Sequence, residues 1–370
     1  APSIAILGDT PYITWYEGGW SAWGRVIGPG GKNAKDSVFV AHWDGASLKW
    51  VLNPYSGQVH GALNTDYETD AINPKIAVIG GKIHVAFAEM PKLGDEARVI
   101  VRRLDLEGWT QLGAPLNKVP GAKTFIINVD LVDVGGVPHV VWSEYRELGN
   151  TNSNATVHVA KFNGTSWEKL GSELNMHSTD GSTNYVALAS VNNTPYVAWQ
   201  EYLRTGDKNY KIYVKHLNGS SWVSDVPPGV SLNNNQNDEA GRPALIGGNN
   251  TLWLSWTEGA TGQKSKIHAK SLTPTIPSMA GIWSADEEVP KAYPTSGAPD
   301  TPGLALVSNI PHVIWAEKDF DSFTKDVFVK AQQVGPTEGP AHRPLYGVNG
   351  NPVPTPENMW TKMNPGGIAD

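Results

Sequence analysis

Pro195-Tyr196-Val197-Ala198-Trp199-Gln200-Glu201 decides the architecture, because the stretch recurs. An aromatic residue stands two places before a Glu in Trp15-Tyr16-Glu17, Phe87-Ala88-Glu89, Trp142-Ser143-Glu144, Trp199-Gln200-Glu201, Trp256-Thr257-Glu258 and Trp315-Ala316-Glu317. After a first interval of 72, the anchors follow one another at 55 to 59 residues. A near-constant period of this kind marks a repeat architecture, and it overrides the division into two or three domains that 370 residues would otherwise suggest. Thirteen residues before each anchor stands Pro2, Pro74, Val129, Val186, Pro243 or Pro302, without slippage. Such constancy needs a strand, a tight turn and a second strand with no insertion between them.

The rest of each unit follows from this pair. A third strand comes after a variable loop, at Val38-Phe39-Val40, Val99-Ile100-Val101, Val157-His158-Val159, Ile212-Tyr213-Val214, Ile267-His268-Ala269 and Val327-Phe328-Val329. A fourth is marked by Trp in Trp109-Thr110-Gln111-Leu112-Gly113 and Trp167-Glu168-Lys169-Leu170-Gly171, more weakly at Trp50 and Trp222, and only as Ile282-Trp283 in unit five. Four short strands per unit, six units and no helical periodicity predict an all-β fold, a six-bladed β-propeller of four-stranded antiparallel blades. The propeller is expected over residues 1–335, with repeats starting near 2, 74, 129, 186, 243 and 302. The Pro-rich tail, 336–370, is expected to supply the last strand of blade six near Leu345 to Val348, with the remainder docking to another module. No strand exchange between the termini is expected.

Period-two alternation puts Val197, Trp199 and Glu201 on one side of their strand and Tyr196, Ala198 and Gln200 on the other. The large Trp of one blade then fills the hollow left by a small residue on its neighbour, so the repeated Trp is read as core. The repeated Glu invites reading as a ring of ligands. One residue repeated in every blade is better explained by one local task in every blade, the acceptance of backbone N–H groups from an adjacent loop. His84, His139 and His312 share a strand position with Tyr12, Tyr196 and Trp253 and read as packing between blades.

Composition excludes several classes of function. A net charge of −7 without a basic run disfavours nucleic acid and anionic membranes. No apolar run is long enough for a membrane span, so no membrane insertion is expected. The absence of Cys removes disulfides, thiolate metal sites and Cys nucleophiles. A chain starting at Ala1 fits a mature exported product, which makes a secreted, periplasmic or cell-surface location the expectation.

If repetition marks scaffold, ligand groups belong where the repeats differ. On the loop face that carries the Glu residues, the candidates are Trp20, Trp23 and Arg25, then Asp66 and Asp70, Arg146 and Arg204, and Asp238, Arg242 and Asp300. Aromatic platforms beside Asp and Arg suit a sugar, through ring stacking and paired hydrogen bonds. Oxygen ligands for Ca²⁺ are offered by Asp130 and Asp133 near the axis and by Asp319 and Asp321 in the last such loop, without the spacing of a calcium loop. No phosphate loop, H-E-x-x-H or G-x-S-x-G motif is present.

Asn163-Gly164-Thr165-Ser166-Trp167 and Asn218-Gly219-Ser220-Ser221-Trp222 resemble the turn that precedes the Trp of a sialidase repeat. The repeats as a whole are similar to secreted bacterial propellers of sialidase-like or propeller-lectin type, although the Ser-x-Asp-x-Gly-x-x-Trp box is not intact. The resemblance implies a fold and no functional residue. The leading expectation is a secreted or surface-exposed, non-catalytic propeller that binds a glycan or another protein. A carbohydrate-active enzyme of sialidase-like type, with Arg146, Arg204 and Arg242 around a substrate carboxylate, is the alternative. A structural subunit of a surface assembly is the third reading.

Overall fold

The computed structural model describes residues 2–331 and 361–363, apart from 19, 22–23, 26–35, 54–60, 66–68, 91–95, 118–123, 147–153, 207, 260–265, 276–278, 290–297, 300 and 319–324. Among the described residues there is no α-helix. The first sheet runs Ser3–Leu7, Thr10–Glu17, Ser37–Asp44, Lys49–Leu52, and the second Asp70–Ile79, Lys82–Met90, Arg98–Asp105, Gly108–Gln111. The third runs Thr124–Val134, Val137–Arg146, Ala155–Phe162, Trp167–Lys169, and the fourth Gly181–Val191, Thr194–Leu203, Lys211–Asn218, Ser221–Ser224. In the fifth, Glu239–Gly248, Thr251–Gly259 and Lys266–Thr273 are followed by two short pieces, Ile282–Trp283 and Glu287–Val289, both paired with the third strand. The sixth has Gly303–Val307, Ile310–Lys318, Lys325–Ala331 and, from the tail, Thr361–Met363. Leu345 to Val348 lie outside the described residues. Within each sheet the strands pair antiparallel, and the first strands of successive sheets lie beside one another in chain order, as propeller blades do.

Local chemistry explains the constant spacing of the first two strands. In sheets two to six their connections are two-residue turns with positive φ at both positions, Gly80-Gly81, Gly135-Gly136, Asn192-Asn193, Asn249-Asn250 and Ser308-Asn309. That is the type I′ geometry, whose twist matches the flanking strands and which Gly and Asn tolerate best. Asn163 makes the expected turn into Trp167, its Oδ1 accepting the N–H groups of Thr165 and Ser166 at 3.0 and 2.8 Å.

Trp142, Trp199 and Trp256 are fully buried. Trp199 and Trp256 share one cluster with Val157, Val186, Val197 and Leu254, which runs across three sheets. The indole N–H of each of these three donates to the Glu two residues on, at 2.9, 2.7 and 2.7 Å. The Glu residues do fasten loops. Glu89 accepts from Thr65 N at 2.5 Å and Thr69 Oγ1 at 2.9 Å. Glu201 accepts from Met176 N and His177 N at 2.9 and 2.8 Å. Glu258 accepts from Asn234 N and Asn235 N at 2.9 and 2.6 Å. Such bonds to a buried carboxylate are charge-assisted: Glu201 and Glu258 each hold two N–H groups, Glu89 one N–H and one hydroxyl, and each ties the loop leaving one sheet to the next sheet.

A second set of links runs along the outer edge. Trp109, Trp167, Trp222 and Trp283 donate their indole N–H to the carbonyls of Asn53, Leu112, Leu170 and Asp225, each just past the fourth strand of the preceding sheet, at 2.9, 2.6, 2.8 and 2.7 Å. The glycine of Leu112-Gly113 is needed for this. Its φ is +63°, and a Cβ there would stand 2.9 Å from the Trp167 ring.

Candidate functional site

The first strands of sheets two to five are bulged near the end that carries the Glu residues. Register shifts fall between Ile72 and Lys75, Ile126 and Asn128, Thr183 and Val186, and Gly241 and Ala244. A bulge re-aims side chains and increases local twist, and such devices cluster beside functional sites. Two of the bulged residues, Asn73 and Arg242, hold φ of +53° and +56°. For an arginine this left-handed conformation is strained, so its surroundings must hold it there.

They do so with named contacts. The Arg242 N–H donates to Gln200 Oε1 at 2.6 Å, and Thr257 Oγ1 donates to the carbonyl of Gly241 at 3.1 Å. Gly241 has no side chain in the way: a Cβ would meet Gln200 Oε1 at 2.5 Å. The guanidinium is then carried over the ring of Tyr185, 5.7 Å from its centroid, and its Nη1 donates to Thr301 Oγ1 at 3.2 Å. Ser143 Oγ fixes the neighbouring bulge through the carbonyl of Asn184 at 2.8 Å. Asn184 Nδ2 donates to Tyr210 Oη at 2.5 Å, and Tyr210 packs edge-on to Tyr202 at 4.8 Å between ring centroids.

Burial, then the nearby charges of Tyr202 and Glu239, push the Tyr210 hydroxyl up to about 12, against the opposing bond from Asn184. Tyr210 is therefore a neutral phenol at any physiological pH. Glu239 is exposed at the start of its strand, paired with Gly259. Where sheets four and five meet, the rim thus gathers one guanidinium, one carboxylate, three phenols and an amide, of which Arg242, Tyr185, Asn184 and Tyr210 are half-buried. Ring faces for stacking and fixed donors for hydroxyl groups are the features of a sugar site, and the carboxylate adds an acid–base group.

Of the residues expected from the sequence, Arg242 is the one the structure brings into this group. Arg204 donates to Asn154 Oδ1 at 2.7 Å, and its N–H bonds the carbonyl of Asp180. Asp70 accepts the N–H of Asp36 at 3.1 Å and so joins the second sheet to the first. The Asp238 carbonyl accepts from Asn233 Nδ2 at 3.0 Å. Trp20 and Arg25 face each other in backbone pairing across a short hairpin, and the Arg146 backbone pairs with Thr124. Trp23, Asp66, Asp300, Asp319 and Asp321 lie outside the described residues.

The carboxylates proposed for Ca²⁺ near the axis are occupied by amides. Asp130 accepts the N–H groups of Leu188 and Leu131, both at 2.9 Å, and burial pushes its carboxyl up against the opposing charge of Lys75. Asp133 accepts from Gly136 N at 2.5 Å and Gly80 N at 3.1 Å. Among the described residues no three His, Asp or Glu side chains converge as metal ligands. A cleft of about 270 Å³ between sheets five and six is lined by Trp253, Leu254, Val289, Leu304 and Val313, with Asp286 already paired to His268 at 2.7 Å.

Sequence reasoning missed Tyr185, Tyr202 and Tyr210. It also missed Asn64, Asn117, Asn175 and Asn233, which are buried and follow a Leu each time. Asn175 Oδ1 accepts Val157 N at 3.0 Å, while its Nδ2 donates to the carbonyls of Ala155 and Gly181. Asn64 and Asn233 do the same for Val38 and Ile212.

No family model matches the chain, and no curated protein matches it by sequence. Its fold is found among solved structures. An α-L-arabinanase of Penicillium chrysogenum, complexed with arabinobiose, has a TM-score of 0.50 at 12% identity over 89% of this chain and 92% of its own. A polysaccharide lyase scores 0.53 at 10% identity over 90% and 77%. A Trypanosoma rangeli sialidase in complex with sialic acid scores 0.50 at 10% over 89% of this chain and 53% of its own. At such identity the likeness establishes a β-propeller fold. The expectation of a non-catalytic binding protein is corrected by what these three structures are: an arabinanase, a polysaccharide lyase and a sialidase.

Proposed function

We propose that the chain is a carbohydrate-active enzyme built on a six-bladed propeller, with its site at the bulged inner rim between sheets four and five. The observation that carries this reading is the strained Arg242, held by Gln200 and aimed over Tyr185 beside Asn184, Tyr210 and Glu239. Strain of this kind persists only where the surroundings enforce it, and here they present a cation, ring faces and a carboxylate together. That the structures sharing the fold act on glycans supports the choice of substrate class.

In this reading Tyr185 stacks against a sugar ring, Arg242 and Asn184 hold its hydroxyl or carboxylate oxygens, and Glu239 moves the proton during bond cleavage. Tyr210, a neutral phenol that burial moves further from ionisation, donates at the reacting oxygen. An enzyme of this class meets polysaccharide outside the cytoplasm, the location proposed for it. The test is incubation with arabinan, sialylated conjugates and uronic-acid polymers, reading reducing ends, free sialic acid and ultraviolet-absorbing unsaturated ends. Turnover of one class, lost in Glu239→Gln and Arg242→Ala variants that remain folded, is the expected result. Activity unchanged in both would remove the rim as the site.

A further inference from the structure

One cross-strand position carries a large nitrogen-bearing side chain in each of the first four sheets. His42 stands opposite Tyr12, Arg103 opposite His84, Lys161 opposite His139 and His216 opposite Tyr196. Each is tied to an acceptor of its own sheet: His42 to Asn53 at 2.9 Å, Arg103 to Asp105 at 2.8 Å, Lys161 to Glu168 at 3.4 Å and His216 to Asp225 at 2.9 Å. Sheet four shows what the group does. The His216 ring lies against Tyr196 at 5.3 Å between centroids, and His216, Tyr196 and Asp225 are all buried. Sheet five closes over them, Gly281 N donating to Asp225 Oδ1 at 2.9 Å. The imidazole thus fills the seam between two sheets.

Sheet five has Ser271 in this place, opposite Trp253. A hydroxymethyl group leaves open the volume that an imidazole takes in sheet four, and it is here that the cleft of about 270 Å³ lies between sheets five and six. Trp253 and Ser271 themselves line it, with Val289, Leu304, Pro311 and Val313.

The acceptor is still in place. Asn53 and Asp225 give their N–H groups to the carbonyls of Val40 and Val214, and Ala269, which holds the same position on the third strand of sheet five, pairs with Glu287. Glu287 therefore stands where Asn53 and Asp225 stand, and it lines the cleft. Asp286 beside it bonds His268 through Oδ2 and keeps a buried Oδ1 without a partner among the described residues. Lys270 carries its ammonium over the Trp256 ring and toward the carbonyl of Leu232, on the face turned to sheet four. The cleft keeps the ring walls and the carboxylate of the recurring arrangement and lacks its nitrogen base.

We propose that this cleft binds a planar heteroaromatic base, a ring carrying an N–H group, in the place of the missing imidazole. The ring lies against Trp253, Leu304 and Val313, and its N–H donates to Glu287, a carboxylate that accepts more than one bond. A dry cavity of about 150 Å³ admits one benzene ring, so this cleft has room for a fused pair of rings. It lies between sheets five and six, whereas the rim lies where sheets four and five meet, so the site does not rest on glycan turnover.

Benzimidazole titrated calorimetrically into the full chain is expected to bind saturably and to raise the thermal midpoint. Indene, which has the same shape and no N–H, should bind about tenfold more weakly. Ser271→His supplies the ring from the chain itself, so it should raise the thermal midpoint without ligand and abolish binding. Glu287→Gln keeps the shape of the wall and loses its charge; it should weaken benzimidazole about tenfold and leave indene unchanged. If Ser271→His does not fold, the two titrations of Glu287→Gln decide alone. No saturable binding to the unaltered chain, or binding undiminished in a folded Ser271→His variant, would overturn the proposal. Equal affinity for indene and benzimidazole would overturn it as well, because the carboxylate would then not select the ligand.

Discussion

The loop clamps sit on the second strands and the bulged rim on the first strands, at the same end of the sheets, and they differ in how they vary from unit to unit. The clamps are the same part reused: a Trp donating to a Glu, and a Glu accepting from the loop just past an Asn. The rim has the same backbone device, a bulge, in four consecutive sheets, but the residues it presents are Asn73, Ile127, Asn184 with Tyr185, and Arg242. A solution repeated from unit to unit answers a need those units share, which is to close a sheet against its neighbour. Variation on a constant backbone answers a need met once, and strained or half-buried polar groups are tolerated there only because the clamps supply stability around them.

The sharpest way to break this division is to damage one member of each region. Trp199→Ala removes a fully buried indole together with its bond to Glu201, and the cost expected from denaturant unfolding is about 3 to 5 kcal/mol. Asn233→Ala is expected to cost less, about 1 to 3 kcal/mol, because it takes from the Ile212 N–H its acceptor and from the carbonyls of Tyr210 and Asp238 one of two donors each. Both should leave any catalytic constants of the surviving folded fraction nearly unchanged. The rim should behave in the opposite way. Arg242→Gly relaxes a φ of +56° that glycine adopts freely, so stability should hold or rise by about 1 kcal/mol while glycan turnover is lost. A large stability loss in that variant would make Arg242 scaffold and merge the two regions.

The two regions were also unequally legible in the sequence. Strands, turns and Glu clamps were read correctly because a period of two inside a strand, and a repeat around it, multiply one weak signal six times. The Leu-Asn pair recurs 25 to 27 residues before Glu89, Glu144, Glu201 and Glu258, and alignment on those Glu residues would have found it. It was hidden because it falls in the connection after the fourth strand, whose length from the fourth-strand Trp changes from unit to unit. The rim was less legible for a different reason. A bulge shifts register by one residue without any signature in composition, so Asn184 and Tyr185 read as ordinary strand positions. Loop polarity then drew attention to Arg204 and Asp238, which the structure uses to hold loops together.

The smallest effect compares two tyrosines that stand one in each region. Tyr196 packs between sheets and Tyr210 stands at the rim, and burial raises the hydroxyl of each from 10.0 to about 12. Both are harder to ionise folded than unfolded, so the stability each contributes is complete below pH 10 and is lost as pH rises toward 12. The secondary causes separate them. Asp225 adds to the shift of Tyr196, whereas Tyr202 and Glu239 add to that of Tyr210. Glu239→Gln should therefore bring the ionisation of Tyr210 down modestly, in a titration followed by ring-carbon chemical shifts, and leave Tyr196 where it is. If neither tyrosine moves, Glu239 points away from the phenol, and the rim loses the proximity of carboxylate and phenol on which its acid–base chemistry depends.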